Sequence, residues 1–173
     1  QVRGDVIALM DDDCEARPNW IASLVAEFAD GRADVVCGQV LPASSDQGAA
    51  AGFRPAGSVL LRGRSCSVRD LGTGSNLAFR RSVPTRVGPF DELLGPGAAI
   101  PTGEDRDFLY RALRKGCGVR VSPGPSVINH DLSRDADGDS DGRVAALAAA
   151  SAYWKQIRRG DLVALFRYLA DVA

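Results

Sequence analysis

Three groups of residues in this chain have side chains suited to chemistry at a phosphorylated or hydroxylated ligand: Asp11-Asp12-Asp13, Glu104-Asp105 and His130. The aspartate triplet is the most informative. It closes the apolar run Val6-Ile7-Ala8-Leu9-Met10, and five apolar residues in a row suit a strand buried on both faces of a sheet. Ligands of open α/β sheets gather at the carboxyl ends of the strands. Three carboxylates crowded at that point repel one another unless a cation sits between them. A divalent metal holding a phosphorylated ligand answers that need, because hard cations take carboxylate oxygens and bridge to phosphate oxygens. The plainer alternative is a solvated acidic turn after the strand.

The other two groups carry competing readings of the same kind. His130 is the only histidine in the chain. A lone histidine is more often structural than a ligand, but this one ends an apolar segment and stands next to Asp131, which favours a ligand role. Glu104 and Asp105 open a predicted helix over Glu104 to Lys115, where the helix dipole favours acidic residues for structural reasons alone. Thr102 is in place to cap that helix. A carboxylate at a helix start also suits a general base.

The elements that must position these groups are legible in the hydrophobic periodicity. Trp20, Ile21, Leu24, Val25 and Phe28 recur at helical spacing between Pro18 and Gly31, giving a helix with its start and stop signals. Asp34 to Leu41 reads as a strand, and residues 42–58 as a loop rich in Ala, Gly, Ser and Pro. Val59 to Leu61 fits a short strand or a helical turn equally well. Ser75 to Phe79 reads as a strand and Arg80 to Val87 as a short helix. The Gly- and Pro-rich stretch 88–102 reads as a long functional loop. Val119-Arg120-Val121 begins the next strand, Ser126 to Asn129 forms a last one delivering His130, and helices follow over Val144 to Arg158 and Leu162 to Val172.

In this order the motifs resemble a known family. Asp11-Asp12-Asp13, then Gly72-Thr73-Gly74-Ser75-Asn76-Leu77-Ala78-Phe79-Arg80-Arg81, then Gly88-Pro89-Phe90-Asp91-Glu92 with Leu94-Gly95-Pro96-Gly97, then Gly103-Glu104-Asp105-Arg106-Asp107, and finally His130, are similar to the family 2 glycosyltransferases of GT-A fold. Each element is weak alone; five in order are specific. The resemblance covers residues 1 to about 131 and implies an α/β fold with a mainly parallel mixed sheet flanked by helices. It implies transfer of a sugar from a nucleotide-diphosphate donor to an acceptor hydroxyl, with inversion. Asp11 and Asp13 match the family's D-x-D pair, holding Mn²⁺ or Mg²⁺, with His130 at the third metal position. Asp105 matches the aspartate that deprotonates the acceptor, and Glu104 would orient the acceptor or the loop. Asp11, Asp12, Ser75, Asn76 and Arg106 fall on the substrate side, although strand-end polar residues such as Ser75 and Asn76 equally serve to satisfy backbone groups. The resemblance also implies an upstream base-binding portion that these residues do not include. The expected organisation is a partial GT-A domain over 1–131, an acidic flexible linker over 132–142, and a C-terminal helical segment over 143–173.

Rival readings fit less of the chain. A Walker B strand requires a G-x-x-x-x-G-K-[ST] run, which is absent from the sequence. A haloacid-dehalogenase-type phosphatase would carry Thr or Val where Glu15 stands. Asp137-Gly138-Asp139-Ser140-Asp141-Gly142 imitates the start of a calcium loop, but Ala148 occupies the position of the bidentate glutamate. A non-catalytic domain of the same fold, binding sugar or partner, is the main non-enzyme alternative. At 173 residues and 45% apolar content the chain has the makings of one globular domain. A net charge of −1 gives no support for a nucleic-acid partner. Cys14, Cys37, Cys66 and Cys117 form no C-x-x-C pair, and read as reduced cysteines of a cytoplasmic protein. No apolar stretch approaches the roughly 18 residues of a membrane span. The C-terminal helices are expected to dock on the catalytic domain, another protomer or a membrane surface, since Arg158, Arg159 and Arg167 beside an apolar face permit peripheral association with the inner face of the membrane.

Overall fold

A computed structural model describes residues 3–43, 52–63, 66–130 and 140–172. The elements, in chain order, are β1 (Val6–Met10), β2 (Cys14–Ala16), α1 (Trp20–Phe28), β3 (Val35–Pro42), β4 (Val59–Leu61), a single 3₁₀ turn (Val68–Asp70), β5 (Asn76–Arg80), α2 (Val83–Val87), α3 (Glu104–Arg114), β6 (Val119–Asn129), α4 (Ser140–Ile157) and α5 (Leu162–Val172). One mixed sheet runs in the order β1-β5-β3-β6-β2, with β4 also paired to β6.

The period of two along the central strands sorts their side chains into two layers. Val35 and Cys37 of β3, with Leu77 and Phe79 of β5, point to the face covered by α3 and α4. Val36 and Ala78, one residue out of step, point to the opposite face, where Leu24 and Phe28 of α1 cover them. Phe108 of α3 anchors the larger core, stacked on Phe90 at 4.5 Å and tilted against Phe79 at 5.4 Å.

Two expectations about the sheet are corrected. Among the described residues the named strands pair in parallel only in the β3–β6 ladder, and β1–β5, β3–β5, β2–β6 and β4–β6 run antiparallel. β3 and β6 are joined by the long excursion through α2 and α3 that a parallel pair requires, whereas β2 and β4 are short additions laid on β6. Strand β1 is also not buried on both faces: among the described residues it pairs with β5 alone, and Met10 is 40% exposed.

The two segments expected to be separate strands, Val119 to Val121 and Ser126 to Asn129, form the single strand β6. The register against β3 shifts between Cys37 and Gln39, so Pro123-Gly124-Pro125 is absorbed at a bulge, where proline is tolerated. Gly38 faces that bulge, and a Cβ on it would overlap the Asn76 amide and the Pro125 carbonyl.

The C-terminal helices are part of the main core. Ala149 and Tyr153 of α4 and Ala164 of α5 are buried in it. The Tyr153 hydroxyl accepts from Val68 N at 3.0 Å and donates to Asp171 of α5 at 2.7 Å, which serves both valences of a buried phenol. Residues 132–139 of the expected linker, and with them the start of the calcium-like run at Asp137, lie outside the described residues. The four cysteines are free thiols, two of them buried in the core.

Candidate active site

The aspartate triplet is held by two strands at one end of the sheet. β1 ends at Met10, and β2 begins at Cys14, paired with Asn129 of β6. Between them the turn Asp11–Cys14 closes through Cys14 N donating to Asp11 O at 3.1 Å. Asp11 and Asp12 are exposed and Asp13 is half-buried.

The loop before β5 ties this turn to the start of α3. Ser75 Oγ donates to Asp11 Oδ2 at 2.6 Å, and the adjacent Gly74 N donates to Asp105 Oδ2 at 2.9 Å. Two neighbouring residues thus bridge the aspartate of the strand end to the aspartate of the helix start, within the span of one substrate. The second oxygen of Asp105 accepts from Arg106 N at 2.6 Å. Each carboxylate oxygen accepts more than one hydrogen bond, so both retain capacity for a ligand hydroxyl.

Glu104 stands beside them in a different environment. Its Oε2 is buried with no hydrogen-bond partner among the described residues, as is Thr73 Oγ1 in the bridging loop. Gly95 lies against it so closely that a Cβ there would come within 3.2 Å of the carboxylate. Burial, supplemented by the charges of Asp105 and Asp11, pushes the Glu104 carboxyl above its usual range. A raised folded-state value means that the folded chain holds this proton more tightly than the unfolded chain. The stabilisation is complete below the ordinary value of 4.5 and is lost as pH rises through the folded value. Glu104→Gln should therefore raise the thermal midpoint more at about pH 8 than at about pH 4. An equal gain at both would contradict this account.

α3 starts at Gly103, not under a Thr102 cap. Gly103 takes φ +94° as the N-cap, with no side-chain capping bond. It also touches α4: a Cβ there would overlap Ser151 Oγ and sit 3.0 Å from the Ala148 carbonyl. A left-handed backbone and a close helix together require glycine at this position. The residue preceding the acidic pair is thus packed directly under α4.

Below the pair lies a group that sequence reasoning passed over. Asp107 is fully buried and accepts from Arg111 Nε at 2.8 Å, Lys155 Nζ at 2.7 Å and Gln156 Nε2 at 2.8 Å. Lys155 also pairs with Asp91, whose carboxyl it holds below the usual range. Arg111 binds the carbonyls of Val87 at 2.8 Å and Pro89 at 2.9 Å. One carboxylate therefore joins α3, α4 and the Gly/Pro-rich loop. Removing one partner of a buried charge group leaves the others uncompensated, so Asp107→Ala should lower unfolding free energy by about 3–5 kcal/mol. Urea denaturation measures this, and a loss under about 1 kcal/mol would reject the hub. The signal in the sequence was an aspartate four residues before an arginine on a predicted helix, a pattern usually exposed.

Asn76 has a structural role instead of the expected substrate contact. It is fully buried, accepts from Trp20 Nε1 at 2.9 Å, and donates to the Gln39 and Pro125 carbonyls at 2.8 and 3.0 Å. It pays the hydrogen-bond debt of the β3–β6 bulge. Arg106 is half-buried, which lowers its pKa while neighbouring Asp105 opposes the shift.

The expected metal ligands are neighbours without forming a cage. His130 N donates to Asp13 O at 2.9 Å, placing the two residues side by side. The Asp13 carboxylate, however, accepts from Asn129 Nδ2 at 3.1 Å, and His130 Nε2 stands 3.3 Å from Glu15 Oε2. Among the described residues no three His, Cys, Asp or Glu side chains are grouped to hold an ion. The donor set does fit a hard cation of the Mg²⁺ type, which is bound by one or two carboxylates plus substrate phosphates.

Residues 1–83 match the family model of glycosyl transferase family 2. The fold is similar to the crystal structure of S. aureus TarS, at a TM-score of 0.54 and 14% identity over 84% of this chain and 25% of that one. A crystal structure of S. aureus TarS 1-349 is similar at a TM-score of 0.52 and 12% identity, over 86% of this chain and 46% of that one. The chain thus spans under half the length of either structure. No curated protein matches the sequence significantly. Residues 1–83 thus carry the sequence pattern of glycosyl transferase family 2, and the chain shares the GT-A-type α/β fold of the two TarS structures.

Proposed function

We propose that this chain transfers a sugar from a nucleotide-diphosphate donor to an acceptor hydroxyl with inversion at the anomeric carbon. The observation that carries the reading is the bridge Asp11–Ser75–Gly74–Asp105, which brings a carboxylate suited to the diphosphate side within one substrate of a carboxylate suited to the acceptor side. Asp105 is the general base. It takes the proton as the acceptor oxygen forms its bond to the anomeric carbon, and the bond from that carbon to the diphosphate oxygen breaks on the opposite face. The nucleoside diphosphate leaves with the electron pair.

Asp11 and Asp13 would hold Mn²⁺ or Mg²⁺, with Asp12 beside them and His130 the candidate for a third ligand. Such an ion supplies positive charge to the departing diphosphate. Ser75 fixes the orientation of Asp11, and Gly74 that of Asp105. Glu104, against Gly95, sets the position of the loop above the base. Arg106 completes the substrate side through its contact with Asp105. A cytoplasmic location follows from a nucleotide-sugar donor and reduced cysteines.

The test is a screen of nucleotide sugars for nucleoside diphosphate release with Mn²⁺ or Mg²⁺ present, followed by anomeric analysis of the product. Release with one donor class and an inverted product is the expected result. Donor binding without release under every condition would favour a non-catalytic domain of the same fold.

A further inference from the structure

Of the eleven large apolar side chains that stand exposed among the described residues, six belong to α4 and α5. On α5, Leu162, Phe166 and Leu169 are 67%, 70% and 51% exposed, and their spacing of four and three residues places them on one face of the helix. The opposite side of α5 packs inward through Ala164, which is fully buried. On α4, Trp154 is 61% exposed. It lines a cleft of about 260 Å³ with Ala150, Ile157 and Tyr168 of α5, so the apolar surface continues from one helix to the next.

Charge is sorted across the same hairpin. Arg158 and Arg159 form its tip with Gly160, and both line a groove shared with Trp154. Neither guanidinium has an acidic partner among the described residues. The acids are turned the other way: Asp161 is buried against Arg114 and the start of α5, and Asp171 is taken by Ser67 and Tyr153. The hairpin therefore presents aromatic and aliphatic side chains beside free cations, with no available carboxylate among its described side chains.

We infer that the outer face of the α4–α5 hairpin is a membrane-surface site, seating Trp154, Leu162, Phe166 and Leu169 at the headgroup boundary of an anionic bilayer, with Arg158 and Arg159 on the lipid phosphates. The charge pattern selects this partner over a second copy of the chain. A two-fold interface must be self-complementary, and across the hairpin tips arginines would face arginines; the carboxylates bordering their grooves, Asp91, which Lys155 holds, and Glu92, lie on the Gly/Pro-rich loop and not on the hairpin face. Indole and arginine suit the bilayer boundary because each has an apolar body and a polar tip. No helix among the described residues is long and apolar enough to cross a membrane, so the hairpin lies on the surface and does not span it. Because Gly103 packs under α4, docking this face would hold the acidic pair at a set position relative to the membrane.

The test uses the full chain with phosphatidylcholine vesicles containing about one quarter phosphatidylglycerol, by co-sedimentation and Trp154 fluorescence. The protein should sediment with these vesicles, less with pure phosphatidylcholine, and show a blue-shifted emission that Trp154→Phe removes. Arg158→Gln with Arg159→Gln should weaken partitioning about thirtyfold. Leu162→Ser with Phe166→Ser should weaken it at least about tenfold while circular dichroism stays native. No binding by the unaltered chain, or binding indifferent to Leu162 and Phe166, would overturn the site. So would a concentration-dependent dimer abolished by the same substitutions without vesicles. None of these outcomes depends on glycosyl transfer, so this inference and the proposed reaction fail separately.

Discussion

Replacing Asp105 by Asn should lower turnover by about 10²–10⁴-fold while leaving the protein folded. The amide keeps the shape of the carboxylate and can still accept from Gly74 N, so the link to the Asp11 side of the site survives. What it loses is the basic oxygen that removes the acceptor proton. Donor KM should change little, because the diphosphate is assigned to Asp11 and Asp13. The measurement is nucleoside diphosphate release at saturating donor and acceptor, with Glu104→Gln in parallel. The glutamine variant should be milder, since Glu104 is buried against Gly95 and acts on the loop. If Asp105→Asn kept near-normal turnover while Glu104→Gln lost it, the base would be Glu104. If neither variant lost activity, the acid-base assignment would fall altogether.

Neutralising the metal-side carboxylates should be as damaging by a different route. Asp11→Ala and Asp13→Asn are each expected to cost about 10²–10³-fold in turnover, the scale of losing one stabiliser of developing charge. Their structural costs should differ. Asp11 is exposed and its one side-chain bond among the described residues is to Ser75, so its removal should leave stability within about 0.5 kcal/mol of the parent. Asp13 accepts from the buried Asn129 amide, which is why Asn rather than Ala is the informative substitution there. Activity should disappear in excess chelator and return with Mn²⁺ or Mg²⁺. Full turnover with chelator present would remove the metal from the proposal while leaving Asp105 untouched.

The sequence by itself determined the local elements and the order of the motifs. The apolar spacing of Trp20, Leu24 and Phe28 sets a helix because 3.6 residues per turn gathers them on one side. The run before Asp11 has to be a strand, and Glu104 and Asp105 fall naturally at a helix start. These signals are short-range, and a single helix or strand carries each of them. The motif order then carried the family resemblance, and the resemblance carried the α/β fold class.

The tertiary structure decided how side chains from distant segments share their hydrogen bonds. Asn76 belongs to the same motif as Ser75, yet one fills the β3–β6 bulge and the other reaches Asp11. Adjacent strand residues point to opposite sides, and only the register with Gly38 and Pro125 says which side holds unpaired carbonyls. Asp107 is indistinguishable in sequence from a solvated helix acid until Lys155 and Gln156 arrive from α4, nearly fifty residues later. Sheet order is likewise set by pairing across long separations, so the antiparallel position of β5 between β1 and β3 has no local signature. The same holds for α4 and α5. Their apolar residues are readable as a pattern, but which of them are buried against Tyr110 and Val68, and which face outward with Arg158 and Arg159, depends on the surface they meet.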